Sequence, residues 1–182
     1  MARSGRDERA WVRGAQAGSA SDLEALFRAY WPRAFRAAYL VAHDAAAAED
    51  IAQEAFLAAI RSLDRFDRRR PFGPWLHRIV VNRAIDWARA RQLRAETSLP
   101  DLPGRTEPSN SLLLAPDHAA AGGNPQALAA AISRLPPEQR GVIVLRHLLD
   151  YTPGEIADLL ELPRGTVNSR LRRGLDALKD EL

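Results

Sequence analysis

The chain has 182 residues, of which 46% are hydrophobic, so it is long enough for one domain or two small ones with apolar cores. It contains no cysteine, which excludes a disulfide framework and a thiolate metal site and fits a reducing compartment. The formal net charge of +3 is uneven, because residues 1–95 carry 17 Arg against 11 acids and residues 96–182 carry 9 Lys and Arg against 12 acids.

Residues 1–20 are interpreted as an N-terminal extension. The first sixteen, MARSGRDERAWVRGAQ, lack an apolar core, so we expect no signal peptide. No apolar run in the chain approaches the roughly 18 residues that would span a membrane, and we expect no membrane partner. Ser21 and Glu24 form a capping-box pattern that predicts a helix over DLEALFRAYWPRAFRAAYLVA. Pro32 lies inside that helix and is expected to kink or break it.

A second helix is predicted over residues 44–63, because its alanines and large apolar residues recur at helical spacing. Its polar face is acidic: Asp50 and Glu54 lie four residues apart, beside Gln53. Like charges at that spacing cost about 0.2–0.5 kcal/mol. The helix dipole explains Asp50 but only weakly Glu54. Docking of this face on a basic protein surface is therefore the alternative, and the spacing leaves both interpretations open.

A basic loop and a third helix follow. Residues 61–94 carry ten arginines against three aspartates, which indicates a polyanionic partner or a solvated basic face. Arg83, Trp87 and Arg91 share one face of a helix predicted from Trp75 to about residue 95. Arginines beside aromatic rings are typical of proteins that hold single-stranded nucleic acid, although buried aromatics could equally form core. We expect Trp75 in the core and Phe72 exposed for contact with a base.

Residues 96–124 are rich in Pro, Gly, Ser and Asn and lack helical periodicity, which predicts a flexible linker. Beyond it, PQALAAAISRL predicts a helix that ends at two prolines, and PEQRGVIVLRHLL predicts another. The sequence thus favours an all-α chain of two small helical domains, 21–95 and 125–182, joined by this linker. Two such modules can hold separate sites on one extended partner.

The last fifth of the chain predicts a helix-turn-helix. Thr152 is a predicted N-cap, Pro153 occupies the first helical position and Glu155 completes a capping box. A short helix, PGEIADLL, is followed by the turn ELP and by a second helix from Arg164 or Gly165. The apolar stripe of that second helix consists of Val167, Leu171, Leu175, Leu178 and Leu182.

The outward side chains of the second helix suit a DNA-reading role. Arginine can donate two hydrogen bonds to guanine, and asparagine can pair in the same way with adenine. Thr166 and the first amides of the helix can hold phosphate. An ordinary solvated helix would explain outward charge, but not why nearly all of it is basic. The candidate DNA-contacting residues are Arg164, Thr166, Asn168, Ser169, Arg170, Arg172 and Arg173.

Three stretches together resemble the bacterial sigma factors, and the short two-domain layout is similar to their extracytoplasmic-function (ECF) subgroup. The stretches are AEDIAQEAFLAAIRSLDRF, WLHRIVVNRAIDWAR and LPPEQRGVIVLRHLLDYTPGEIADLLELPRGTVNSRLRRGLDALK. They cover about residues 20–95 and 125–180. The resemblance implies a cytoplasmic promoter-specificity subunit of RNA polymerase that is not an enzyme and uses no cofactor.

The resemblance also implies roles for particular residues. Asp50, Gln53 and Glu54 would bind the clamp helices of the largest subunit of core RNA polymerase. The loop 67–72 and the third helix would grip and help open the −10 promoter element, through Arg69, Arg70, Phe72, Asn82, Arg83, Trp87 and Arg91. The helix that begins near Arg164 would read the −35 element. An inhibitory anti-sigma factor is a further possible partner.

Two other classes of protein stay open at this point. A DNA-binding regulator that never joins polymerase would explain residues 125–182 but not residues 44–94. An enzyme acting on nucleic acid is weakly supported, because the four histidines, His43, His77, His118 and His147, are scattered without metal-ligand spacing. Asp50 and Glu54 could hold a metal, but no third ligand is evident from the sequence.

Overall fold

The computed structural model describes residues 4–97 and 125–181, and within those ranges the chain is helical without a β-strand. The helices are α1 (Ser4–Gln16), α2 (Ala20–Ala42), α3 (Ala45–Ser62), α4 (Phe72–Thr97), α5 (Pro125–Arg134), α6 (Pro137–Ile143), α7 (Pro153–Leu160) and α8 (Arg164–Glu181). A 3₁₀ turn, Leu63–Arg65, continues α3, and a π-helical segment, Val144–Leu148, continues α6. The prediction of an all-α chain with two helical modules is confirmed. Residues 96 and 97, which were placed in the predicted linker, belong to α4 instead, and the rest of that linker lies outside the described residues.

The first module is a bundle in which α2 packs against α1, α3 and α4. Alanines dominate the contacts, because their small side chains let helix axes approach closely, and the fully buried ones include Ala34, Ala37, Ala38, Ala48, Ala52, Ala55 and Ala84. The predicted apolar face of α3 is confirmed for most of its members, which point into this core. Ile60 is the exception and remains exposed.

Helix α2 differs from its prediction at its N-cap, and it is not broken at Pro32. Its N-cap is Ser19, whose hydroxyl accepts the N–H of Asp22, so the capping box expected at Ser21 is wrong by two residues. The helix also continues through Pro32 to Ala42 without a break. Pro32 is exposed on the outer face of the helix, where the surrounding turns remain held by packing against α3 and α4.

The second module places α6, α7 and α8 around one apolar centre. The Thr152 capping box is confirmed: the Thr152 hydroxyl accepts the Glu155 N–H, and the Glu155 carboxylate accepts the Thr152 N–H. One member of the predicted α8 stripe is wrong, since Leu175 is 37% exposed. Gly174 is buried instead, and a Cβ built there would lie 2.5 Å from Ile143 Cδ1, so the missing side chain lets α8 approach α6.

The two modules pack against each other along α4, which contacts both α6 and α7. Gly141 lies at the closest approach, where a built Cβ would be 2.6 Å from Ile85 Cδ1. The buried apolar residues of both modules consequently form one continuous cluster. No helix in the described ranges is long and apolar enough to cross a membrane.

Candidate nucleic-acid interface

Helix α8 presents a polar, mostly basic surface over its first three turns. Its start is fixed by Pro163, whose carbonyl accepts the N–H groups of Thr166 and Val167. Val167 and Leu171 face the core, which turns the remaining side chains outward. Arg164, Asn168, Arg172 and Arg173 are exposed, while Thr166, Ser169 and Arg170 are half-buried. This surface matches the geometry in which a recognition helix enters a DNA major groove.

Arg170 differs from the other arginines of α8 because it leans towards α6. Its charge acts on Glu138, which also accepts a hydrogen bond from Arg89 Nε at 2.5 Å. Burial alone would raise the pKa of Glu138. Hydrogen bonds from its own backbone N–H and from Arg89, with the charges of Arg89 and Arg170, outweigh burial and lower that pKa. Glu138 therefore stays ionised and ties α4 and α8 to α6.

The basic loop, here called the arginine loop, comprises residues 67–71, all of which are exposed. Asp67 shapes the loop: its carboxylate accepts the N–H of Arg69 at 2.9 Å, and its carbonyl accepts the N–H of Arg70 at 2.9 Å. These two bonds close a tight turn. The turn directs the arginine side chains of its tip into solvent, where they can meet a polyanion.

Phe72 corrects the sequence prediction of an exposed base contact. The ring is only 3% exposed and lies at the first position of α4, three residues earlier than the helix was expected to begin. It packs edge-on against Phe66 and Trp75, with ring centroids 6.0 and 5.7 Å away. Burial of this large apolar ring is favourable, so Phe66 and Phe72 anchor the two ends of the arginine loop to the core.

One face of α4 was expected to carry the other −10 contacts. Acidic side chains of α3, and of Asp44 just before α3, occupy part of this face. Arg83 forms an ion pair with Glu54, with 2.6 Å between Nη1 and Oε2. Arg91 pairs with Asp44 at 3.0 Å, and its guanidinium lies 5.2 Å from the centre of the Trp87 ring. Asn82 and Trp87 are half-buried on the same helix. Two of the predicted DNA-binding cations are thus locally neutralised.

The acidic face of α3 borders a groove that lies between α3 and this face of α4. Asp50, Gln53 and Glu54 are all exposed, and Gln53 donates a hydrogen bond to Glu49 at 3.3 Å. A groove of about 420 Å³ separates α3 from α4, and its walls include Asp50, Glu54, Arg83, Asp86 and Trp87. The structure therefore brings together two residue sets that the sequence had assigned to different partners.

Polar contacts reinforce the packing between the modules. Arg78 of α4 pairs with Glu161 at the end of α7, at 2.7 Å. Arg140 of α6 donates to the carbonyl of Val41 at 2.6 Å, at the C-terminal end of α2. His77 Nδ1 and the Tyr151 hydroxyl share a hydrogen bond of 2.8 Å. Each pair joins one residue of the first module to one of the second.

A second groove, of about 700 Å³, lies where the arginine loop faces α7. Its basic wall includes Arg65, Arg70 and Arg78, and its acidic wall includes Glu155 and Asp158. The acids of the second module are thus placed opposite a basic wall that includes Arg70, one of the residues expected to meet DNA. This arrangement is an electrostatic match between the modules that neither sequence segment revealed alone.

The remaining titratable groups give no ligand cluster. In the parts of the chain that the structure describes, no group of three or more His, Asp or Glu residues could hold a metal ion. His43 and His147 are exposed and His77 is buried, while His118 lies outside the described residues. The acids of the predicted linker, Asp101, Glu107 and Asp117, also lie outside them, and Glu96 is exposed near the end of α4.

Sequence reasoning missed α1 altogether. Two of its side chains, Glu8 and Gln16, hydrogen-bond to backbone groups on either side of the arginine loop. The only signal in the sequence was the helical spacing of Trp11 and Ala15, which pack against the core together with the buried Val12. The spacing of these apolar residues gives no indication that the side chains of Glu8 and Gln16 contact residues some fifty positions further along the chain.

Two family models match the chain. Sigma-70 region 2 matches residues 26–94, and Sigma-70 region 4 matches residues 126–178. Together the matches cover most of α2, all of α3, and nearly all of α4 and of α5 to α8.

Curated relatives match over most of their length. The ECF RNA polymerase sigma factor SigW of Bacillus subtilis is 34% identical over 160 residues, which is 84% of this chain and 84% of that protein. SigL of Mycobacterium tuberculosis, also an ECF RNA polymerase sigma factor, is 32% identical over 169 residues, 92% of this chain and 93% of that protein.

Two solved structures share the fold. CnrH, in complex with the cytosolic domain of CnrY, superposes with a TM-score of 0.66 at 24% identity and covers 96% of each chain. The sigma factor RpoE of Bartonella quintana, in complex with the anti-sigma factor NepR, gives a TM-score of 0.66 at 19% identity, covering 87% of this chain and 95% of that one.

Proposed function

The chain belongs to the ECF group of the sigma-70 family and is a promoter-recognition subunit of RNA polymerase, and from this premise we propose which surface performs each step. The observation that carries the proposal is the outward basic surface of α8, set on a core-facing stripe in a capped helix-turn-helix. The separate basic loop and the acidic face of α3 are assigned to the remaining steps.

Core polymerase is proposed to bind the acidic face of α3 through Asp50, Gln53 and Glu54, and the clamp helices of its largest subunit are the proposed contact. Support comes from the exposure of all three side chains on one helix face. Glu54 must exchange its ion pair with Arg83 for a polymerase cation. Exposed pairs of this kind are worth about 0–1 kcal/mol, so the exchange is cheap.

The −10 element is proposed to bind the arginine loop and the adjacent face of α4. Arg69 and Arg70 would contact phosphates from the exposed turn, and the α4 residues Asn82, Arg83, Trp87 and Arg91 would extend the track. Release of Glu54 to polymerase would free Arg83 for DNA, which couples the two binding events. Phe72 is proposed to position the loop from its buried site and to make no contact with bases.

The −35 element is proposed to bind α8 in the major groove. Arg164, Asn168, Arg172 and Arg173 are exposed along its N-terminal half and can reach base edges or phosphates. Thr166 and Ser169 lie between them, and Arg170 borders the contact from the side of Glu138. A good bidentate base contact contributes about 1–3 kcal/mol of discrimination.

Run-off transcription tests the whole assignment. Core polymerase with and without the full chain is supplied with a genomic fragment library, and specific start sites are expected only when the chain is present. A DNA-binding regulator that does not join polymerase would give no new start sites, and that result would overturn the proposal. The fragment with the strongest dependence on the chain, here called the test promoter, then serves in the experiments below.

A charge reversal tests the acidic face. Asp50→Arg with Glu54→Arg is expected to abolish association with core polymerase in a pull-down assay. The matched control reverses Asp176 and Asp180, which are also exposed acids four residues apart on a helix. Undiminished association of the first double variant would show that polymerase binds elsewhere.

The same assignment carries three further proposals. The chain acts where RNA polymerase acts, in the cytoplasm, and it catalyses no reaction of its own. An anti-sigma factor is a third proposed partner, because RpoE was solved with one and because Phe27, Leu57 and Ile60 expose apolar surface on the first module. Co-purification of a second protein with the tagged chain from its own cells, and its displacement by core polymerase, would test that partnership.

A further inference from the structure

Both ends of the arginine loop are held by α1. At the entry, Gln16 Nε2 donates to the carbonyls of Leu63 and Phe66, at 2.8 and 3.1 Å. At the exit, Glu8 Oε1 accepts the backbone N–H of Phe72 at 2.8 Å. The loop is therefore a short exposed turn whose two anchors are fixed by one helix from outside the segment.

Glu8 serves as a remote N-cap for α4. The first N–H groups of a helix have no partner within it, and a negative charge near them is favoured by the helix dipole. The residue before α4 is Pro71, whose side chain has no hydrogen-bond acceptor. The Glu8 carboxylate, 64 positions earlier in the chain, supplies the hydrogen-bond acceptor that the local sequence lacks.

Tyr30 fixes the Glu8 carboxylate in place. Its hydroxyl donates a short hydrogen bond to Glu8 Oε2. Burial, and then the hydrogen bond and charge of Glu8, raise the pKa of Tyr30, so the phenol keeps its proton. The ring also lies against Gly73, where a built Cβ would be 2.9 Å from Tyr30 Cε1. The absence of a side chain at Gly73 thus lets Tyr30 reach Glu8 beside the first turn of α4.

We propose that Glu8 and Gln16 are positioning residues for promoter opening, because they hold the arginine loop in a preformed shape that the −10 DNA meets. The proposal rests on the proposed function of that loop. A loop that is already ordered pays less conformational entropy when it binds its target. On duplex DNA, loop binding must offset the unpairing of bases, so loss of either clamp should slow opening. On DNA that is already open no unpairing limits the rate, so the same loss should change the rate little.

The experiment uses full-length Glu8→Ala and Gln16→Ala in holoenzyme with the test promoter, either as duplex or with its −10 element opened in advance by mismatches. On duplex, Glu8→Ala is expected to form open complexes about fivefold more slowly, the factor that corresponds to one lost helix cap. Gln16→Ala removes two hydrogen bonds to carbonyls and is also expected to be slower. On the pre-opened template the rates should approach that of the wild type. Glu8→Gln keeps an acceptor for the Phe72 N–H and should rescue the duplex rate.

Hydrogen exchange provides a readout that is independent of transcription. The Phe72 amide should lose protection in Glu8→Ala and keep it in Glu8→Gln. Glu24→Ala is the matched control, since Glu24 is an exposed helical glutamate that pairs only locally with Arg28, and it should leave both rates unchanged.

Two outcomes would overturn the inference. Equal slowing of Glu8→Ala on duplex and pre-opened templates would indicate general damage to the module, and an unaltered duplex rate would show that the clamp is not used. Failure of the loop's proposed function looks different, because Arg69→Ala with Arg70→Ala would then leave the duplex rate unaltered.

Discussion

His77 Nδ1 lies 2.8 Å from the Tyr151 hydroxyl, and this hydrogen bond connects α4 of the first module with the residue before the Thr152 cap of the second. His77 is 4% exposed, and its Nε2 has no hydrogen-bond partner among the described residues. Burial, and then the positive charge of Arg33, lower the pKa of His77 to about 4. The contact between the modules is thus built around a neutral imidazole.

Acidification should destabilise the folded chain through His77. The unfolded chain binds this proton near pH 6.5 and the folded chain only near 4, so the unfolded state is protonated first as the pH falls. Above about pH 6.5 His77 is neutral in both states and does not lower the free energy of unfolding. Between about pH 6.5 and pH 4 its protonation in the unfolded state lowers that free energy by up to about 3 kcal/mol. Denaturant unfolding at about pH 7.5, 6 and 5 measures it. The difference between wild type and His77→Gln isolates His77 from other groups, and a constant difference would contradict the prediction.

Tyr151→Phe should lower the free energy of unfolding by more than the loss of one hydroxyl group suggests. The substitution leaves His77 buried without a partner on either nitrogen, a penalty of about 1–3 kcal/mol. Adding His77→Phe removes the stranded polar group, and the double variant should regain much of the lost stability. Unfolding free energies of the four proteins form a double-mutant cycle, in which simple additivity would show that the two residues are not coupled.

If each module holds the element proposed for it, the two modules should separate on a promoter that has both elements. The −10 and −35 elements lie about 25 base pairs apart, roughly 85 Å at 3.4 Å per base pair, whereas the modules here are in contact. Arg89 and Glu138 face each other across that contact. The chain has no native cysteine, so Arg89→Cys with Glu138→Cys can be joined specifically by a short, cleavable bismaleimide. Linked protein should lose run-off transcription and regain it on cleavage.

Single-cysteine variants treated with the same reagent control for chemical damage. Full transcription by the linked protein would show that the packed arrangement is competent on both elements and would contradict the expected separation.

Arg173→Ala should weaken holoenzyme binding to the test promoter, because Arg173 is exposed on the surface of α8 assigned to DNA. If the side chain reads a base, the loss should be about 1–3 kcal/mol and confined to the intact −35 sequence. If it contacts only phosphate, the loss should apply to all sequences and reduce the salt dependence by about one ion. Lys179→Ala, at the distal end of the same helix, is the control, and an equal loss there would argue for a general charge effect.

Two substitutions in the first turn of α2 test which residue is its N-cap. Ser19→Ala should cost about 1 kcal/mol, because the Ser19 hydroxyl accepts the Asp22 N–H. Ser21→Ala should stay within about 0.5 kcal/mol, because Ser21 is an exposed residue already inside the helix. Thermal unfolding of both variants measures the difference, and the reverse order would restore the capping box expected from the sequence.

Local rules in the sequence were sufficient for the helix-turn-helix of the second module, apart from Leu175, and for most of α3. The Thr152 capping box, the two helices that follow it and the outward arginines of α8 depend on residues within four positions of each other, so spacing alone determines them. The same holds for the buried alanines of α3, whose period is that of a single helix. The function as a promoter-recognition subunit was implied by the resemblance to the sigma factors, which these stretches carry together with WLHRIVVNRAIDWAR of α4.

Tertiary structure decided the features that depend on distant residues. Phe72 became a buried anchor because the distant Tyr30 ring packs 5.3 Å from its own and Glu8 caps its helix, and no local pattern encodes either contact. The packing of α4 on α6 and the pairing of Arg83 with Glu54 arise in the same way. The hydrogen bonds and ion pairs among them join residues from 29 to 64 positions apart, so they exist only once the helices have packed.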